Sequence, residues 1–382
     1  MKQYIKDVSR SLGLKRTMVF ARRLRTAWWW TFDIAGYLIL TPMLLLYNMF
    51  KKKEIHKVLI IRLDRIGDVV LSTPAIRAVR QSFSSAKIHV LVQEYTCELI
   101  VANNDVDRII INGKDRLERN YDVAIALHPG LYQNYLTFRS GARERVGYTG
   151  WGGGFFLTHR VQDDRAVRIR HEVESALEVV ALLGCKTTKT NLEVSVTQEG
   201  EAFAASFLKA NKIGHPWVII HPGARQPYIR WKKEGFAELA DLLIRDAHVK
   251  VVLTGSDKEK DLLLEIAEKM EMEPAYLTGV SLTHLISIIK SCDLFIGNST
   301  GPMHIAAAVG VPVIAIFGSK HPLDSYHEWG PWSEKSIVIS KDVNCSECHP
   351  TDCINFDCMN NIEAVEIFEA AQDLLKKYVL DK

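Results

Sequence analysis

The sequence predicts an α/β chain built from two doubly wound domains, and three observations carry that prediction. Short runs of Val, Ile and Leu alternate with helical patterns, the alternation restarts at Trp217–His221, and a strand–turn–helix–strand signature closes the second half at residues 293–317. Strands of a parallel sheet are covered on both faces, so they read as continuous apolar runs, and βαβ alternation is the arrangement that produces them. The 382 residues suffice for about two domains of ordinary size.

The chain opens with a basic stretch in which Lys2, Lys6, Arg10, Lys15, Arg16, Arg22, Arg23 and Arg25 face only Asp7. Ala27 to Phe50 is then almost wholly apolar, with Trp28, Trp29 and Trp30 at one end and Asp33 as its one charge, before Lys51, Lys52, Lys53 and Lys57. As a helix this segment would span about 36 Å, enough to cross a bilayer. It lacks the small-residue cleavage site of a secretory signal. A carboxylate at depth costs roughly 2.5–3.5 kcal/mol, so Asp33 disfavours a simple span. The segment therefore reads as a membrane anchor, a re-entrant hairpin or an interfacial helix in preference to one crossing. Both basic clusters would then face the anionic cytoplasmic leaflet. A net charge of +3, with no aromatic–basic stacking platform, argues against a nucleic-acid partner.

In the first half, Lys57–Arg62 reads as a buried strand, Val69–Gln81 as a helix, Lys87–Val92, Arg108–Ile111 and Val123–Leu127 as strands, and Glu172–Leu183 as a helix. The second half repeats the scheme. Strand Trp217–His221 leads to helix Phe236–Arg245, strand Val249–Thr254, and helices Glu259–Met270 and Leu282–Lys290, the latter capped by Ser281. Strands Leu294–Gly297 and Val313–Phe317 and an amphipathic helix, Glu363–Tyr378, complete the set. The predicted division is an anchor at 1–54, a first domain at 55–205, a second at 206–361 and a final helix at 362–382, with the cleft at the strands' C-terminal ends.

The most informative stretch is Asn298-Ser299-Thr300-Gly301-Pro302-Met303-His304. A hydroxyl- and glycine-rich turn entering a helix leaves N–H groups at the positive end of the helix dipole, where phosphate is stabilised. Thr300 adds a donor, Gly301 permits close approach, and His304 lies one turn on.

Two sets of motifs resemble glycosyltransferase family 9, the bacterial heptosyltransferases. Arg62-Leu63-Asp64-Arg65-Ile66-Gly67-Asp68 to Pro74 is similar to that family's first-strand loop. His221-Pro222-Gly223-Ala224 with Trp231, Gly255 to Glu259, and Asn298 to His304 are similar to its second-domain motifs. The resemblance runs from Lys57 to the C-terminus and excludes residues 1–50. It implies a GT-B fold, a nucleotide-sugar donor (ADP-heptose first among candidates) held by the second domain, and inverting transfer with no required metal. It also implies a lipid-linked saccharide acceptor of the lipopolysaccharide type, met at the cytoplasmic face of the inner membrane.

On this resemblance Asp68 is the candidate base; as a bare residue it reads equally as a helix cap. Thr300, Gly301 and His304 correspond to the diphosphate turn. Ser299 stands where many members have Asp, and Ile229 where the family commonly has Lys, which leaves Arg230 and Arg225 as the nearby donor-side cations. Glu259 corresponds to the acid for the ribose hydroxyls, although a first-turn acid also suits a helix dipole. Arg65 and Asp64 either meet acceptor phosphate or are solvated, and His221 reads as a satisfied buried histidine. Cys345, Cys348, Cys353 and Cys358 crowd one stretch and could close a structural zinc site or remain reduced thiols.

Overall fold

The structure, a computed structural model, describes Gly36, Leu38 and residues 54–380 apart from positions 166, 319, 320, 322, 323, 344, 346, 347 and 349–352. The apolar anchor expected at 27–50 thus lies, but for Gly36 and Leu38, outside the described residues. Among the described residues no helix is long and apolar enough to cross a membrane.

Two six-stranded sheets organise the chain. The first contains β1 (Lys57–Ile61), β2 (Lys87–Val92), β3 (Arg108–Ile111), β4 (Val123–Ala126), β5 (Glu144–Thr149) and β6 (His159–Gln162), in the order β3-β2-β1-β4-β5-β6. The second contains β7 (Trp217–His221), β8 (Lys250–Gly255), β9 (Ala275–Thr278), β10 (Leu294–Asn298), β11 (Val313–Phe317) and β12 (Ser336–Ser340), in the order β12-β11-β10-β7-β8-β9. Both follow the doubly wound 3-2-1-4-5-6 scheme, in which ligands bind beyond the strand C-termini at the point where the order reverses. Those points are the ends of β1 and β4 in the first sheet, and of β7 and β10 in the second.

The described residues pack as two compact units, those up to 61 with 118–163, and 62–117 with those from 164 onward. The first unit holds β1 and β4 to β6. Its strands pair in parallel, with Val58 opposite Val123 and Val146 opposite His159. The second unit holds β2, β3, the entire second sheet and every predicted site residue.

Six helices of the second unit matter for the site: α1 (Ile66–Leu71), α2 (Thr73–Ser82), α3 (Glu172–Ala181), α4 (Gly301–Ala308), α5 (Tyr326–Trp329) and α6 (Ala364–Leu375). The single helix expected over 69–81 is in fact α1 and α2, broken at Ser72. Pro74 explains the break: it lacks an N–H and belongs in a helix's first turn, so it restarts a helix instead of continuing one. Strands β5, β6, β9 and β12 were not anticipated. Ser281 caps its helix as expected, accepting from the His284 N–H at 3.2 Å.

Trp231, which belongs to one of the recognised motifs, is a core residue. It is buried, meets Phe236 edge-on at 4.8 Å and donates its indole N–H to the Ile362 carbonyl at 3.0 Å. The buried Asn298 fastens the strand ends around it. Its amide donates to the Pro222 carbonyl at 2.8 Å, and its oxygen accepts from the Trp231 backbone N–H at 3.1 Å.

Candidate active site

The loop after β1 turns into α1, and Asp68 is the third residue of that helix. Its Oδ2 accepts from the Arg65 backbone N–H at 3.1 Å, so the capping duty that a bare aspartate suggests is realised. Its Oδ1 accepts from Arg62 Nη2 at 3.1 Å. The side chain is 12% exposed, nearly enclosed yet touching solvent.

Arg62 is the centre of this region. It is fully enclosed, and its Nη2, besides serving Asp68, donates to Glu172 Oε1 at 2.7 Å. Asp64 Oδ2 lies 3.5 Å from Arg62 Nε. Beyond Glu172, Arg165 Nη1 donates to Glu172 Oε2 at 3.1 Å and lies 3.9 Å from Glu328 Oε1. Burial by itself would lower the Arg62 pKa, but the carboxylates of Glu172, Asp68 and Asp64 outweigh it and raise the value further. Two carboxyls in the cluster carry the opposite strain. Burial pushes Asp64 up to about 6, against the pull of Arg62, and burial with the nearby Glu172 pushes Glu328 up to about 8.

Helix α4 brings the predicted anion turn to this loop. A Cβ built on Gly67 would stand 2.6 Å from His304 Cδ2, and one on Gly301 would stand 2.8 Å from Ile66 Cβ. Only glycine at both positions lets α1 and α4 approach so closely. His304 is buried, and its Nδ1 has no hydrogen-bond partner among the described residues. Burial, then His171, depress its pKa to about 3 despite Asp68, so the ring is neutral at physiological pH. Thr300 takes an extended conformation as the N-cap of α4 and donates its hydroxyl to the Asn298 carbonyl at 3.3 Å. Ser299, Thr300 and Gly301 are half-buried at the helix's positive end.

A second cluster forms at the ends of β7 and β8. Glu259 Oε2 accepts from the Ser256 N–H at 2.8 Å and its hydroxyl at 2.7 Å, while Oε1 would stand 2.2 Å from a Cβ on Gly223. Burial alone would raise its pKa, but these Ser256 bonds, then His221 and Arg230, bring it below the ordinary value. His221 is buried and satisfied, with Nδ1 3.0 Å from Thr254 Oγ1. Arg230 is exposed and anchored through Nε to the Ala224 carbonyl at 2.7 Å. Arg65 and Arg225 are exposed as well. Both act electrostatically on the hydroxyls of Tyr95 and Tyr228, which places the two cations in one neighbourhood with Asp68 and Asp64.

The structural zinc considered for the cysteine cluster finds no ready-made cage among the described residues. Cys345 and Cys353 are exposed and Cys348 and Cys358 half-buried, and among the described residues no group of three or more metal-binding side chains is arranged to hold an ion. Burial, then the neighbouring Cys353, Cys348 and Cys345, raise the Cys358 thiol, which favours its protonated form.

Sequence reasoning missed Arg62, Glu172, Arg165 and Glu328 as site residues. One signal was available: Arg62 directly follows the apolar run Val58–Ile61, and an arginine there requires buried partners.

Comparison with known proteins places this geometry in a family. The profile of glycosyltransferase family 9 (heptosyltransferase) matches residues 112–358, about two thirds of the 382-residue chain. Lipopolysaccharide heptosyltransferase 3 of Escherichia coli K12 is 29% identical over 301 residues, which covers 71% of this chain and 84% of that protein. The solved structure of a family 9 glycosyl transferase from Veillonella parvula superposes with a TM-score of 0.71 at 22% identity, covering 85% of this chain and 99% of the other. That of E. coli ADP-heptose lps heptosyltransferase II superposes with a TM-score of 0.69 at 23% identity, covering 84% and 99%. At such identities these structures establish the fold. The chain belongs to glycosyltransferase family 9, the heptosyltransferases.

Proposed function

We propose that this enzyme transfers a heptose, with inversion, from a nucleoside diphosphate donor to a lipid-linked saccharide acceptor of the lipopolysaccharide type. ADP-heptose is the donor of first choice, because a similar solved structure is named for it. One observation carries the reading: a nearly enclosed carboxylate, Asp68, faces a neutral histidine and a helix N-terminus across a contact that two glycines make possible. In the proposed step, Asp68 takes the proton of the acceptor hydroxyl and that oxygen bonds to the anomeric carbon. The bond from that carbon to the diphosphate oxygen breaks at the same time, and the nucleoside diphosphate leaves with the electron pair. Thr300, Gly301 and His304, at the start of α4, are suited to stabilise the charge that develops on the leaving group, with Arg225 or Arg230 adding a cation. Glu259 is assigned to the ribose hydroxyls and Arg65 to acceptor phosphate. Residues 27–50 would hold the enzyme at the cytoplasmic face of the inner membrane, where a lipid-linked acceptor is met.

Asp68→Asn tests the mechanism. Sugar transfer is expected to fall by at least about 100-fold while nucleotide binding, read by calorimetry, stays within a few-fold. Turnover equal to the parent would remove Asp68 as base. A second reading keeps the chemistry and changes the donor sugar, supported by Ser299 and Ile229 where the family commonly has Asp and Lys. Thermal protection by a panel of nucleotide sugars separates the two.

A further inference from the structure

Arg62 Nη2 carries two hydrogens, and they go to different carboxylates, Asp68 Oδ1 at 3.1 Å and Glu172 Oε1 at 2.7 Å. Glu172 is the shorter and more deeply enclosed partner, and its other oxygen is occupied by Arg165 Nη1 at 3.1 Å. It is also the first residue of α3, held from the rear by a helix whose cap, His171, bonds through Nε2 to the Gly330 carbonyl at 3.0 Å. Arg62 is therefore fixed from the side away from Asp68. A guanidinium fork held this way presents one N–H to Asp68 in one direction only.

We propose that Glu172 is a positioning residue for Asp68: through the buried Arg62 it fixes the direction of the Asp68 carboxylate, and its own charge prevents Arg62 from claiming that carboxylate for itself. The inference rests on the reading of Asp68 as the base. Its physical content is a competition. With Glu172 charged, the Arg62 guanidinium is shared between two anions and only part of its charge acts on Asp68. With Glu172 neutral, Arg62 turns its full charge on Asp68 and makes it a weaker base. Removing a like charge from the neighbourhood of a carboxylate also lowers the pH at which it ionises. The other groups facing Asp68 are Asp64 and Arg65 on its own loop, Tyr95, and the neutral His304 of α4. Of these, Asp64, pushed up to about 6, is the one that titrates in the range of interest.

Glu172→Gln keeps the shape of the side chain and removes its charge. The expected result is a fall in kcat of about 10–100-fold, a donor KM within about twofold of the parent, and an acid limb of the pH–rate profile displaced downward by about one unit or more. A merely structural role would lower the thermal midpoint and the amount of active protein while leaving the acid limb in place, and that outcome overturns the proposal. Should the Gln variant fail to fold, Glu172→Asp serves: it keeps the charge but withdraws the carboxylate, so kcat should fall with the limb unmoved, and parental kcat would overturn the proposal. Asp64→Asn in the parent background should leave the limb present; its disappearance would assign the limb to Asp64 and likewise overturn the inference. Asp68→Asn keeps the two readings apart. If it turns over like the parent, the base assignment fails. If it is inactive while Glu172→Gln leaves the limb unmoved, only the positioning role fails.

Discussion

Replacing Glu328 by Gln should stabilise the protein, and by an amount that grows with pH. The carboxyl is 2% exposed, its Oε2 has no hydrogen-bond partner among the described residues, and the nearest cation, Arg165 Nη1, stands 3.9 Å away and already serves Glu172. Burial first, then the Glu172 carboxylate, push its pKa from 4.5 up to about 8. The sign follows from which state binds the proton. Between those two values the folded protein holds it and the unfolded chain has released it, so stability contributed by the protonated form is present below 4.5 and is lost as pH rises toward 8. Integrating over that window gives a loss of about 2 kcal/mol by pH 6 and about 4 kcal/mol by pH 8, as order-of-magnitude figures. Gln mimics the protonated acid at every pH and does not suffer the loss. The thermal midpoints of variant and parent should therefore nearly coincide at pH 4.5 and separate by several degrees at pH 8, read by scanning calorimetry across the series. A gap that stays constant with pH, or a parent that is the more stable at pH 8, would show that Glu328 is ionised in the folded protein and that the network is wired differently.

Two further substitutions probe the frame of the site. Gly67→Ala puts a methyl 2.6 Å from His304 Cδ2, so the histidine must move; kcat should fall by about 100-fold with the thermal midpoint little changed, since small displacements of reacting groups are costly. Asn298→Ala leaves the Trp231 N–H and the Pro222 carbonyl unpaired in a buried place, and unfolding should become easier by about 2–4 kcal/mol in a denaturant titration, with donor affinity falling as the turn that follows loosens.

The parts of this fold that could be read from the sequence are those buried on both faces. KVLII, VAIA, WVIIH and VIAIF have unbroken apolar centres because helices cover each side of a parallel strand, and all four lie where expected. The overlooked strands are mixed. ERVGYT and HRVQ in β5 and β6 interleave charge and apolar residues, β9 is half-exposed, and β12 lies at a sheet edge. Their pairing is decided by neighbours far along the chain, which no local period records. The site divides in the same way. The candidate turn at Thr300, Gly301 and His304 could be picked out because a strand end feeding a helix start calls for such residues in sequence, and Asp68 could be picked out through the family resemblance. Glu172 was not, since 110 positions separate it from the arginine it holds and a helix's first residue is an ordinary place for an acid. Glu259 and His221 meet their plain expectations: Glu259 caps a helix start through Ser256, and His221 is buried and bonded to Thr254.

The paired glycines have a mechanical consequence. The backbone of Gly67 lies against the His304 ring and that of Gly301 against the Ile66 side chain, so each contact has one side chain where two would ordinarily stand. A displacement of α4 is therefore passed to the start of α1 through a single layer of side chain. On the proposed function, a diphosphate arriving at one helix would be felt by the carboxylate on the other, and loading the donor would help to align the acid.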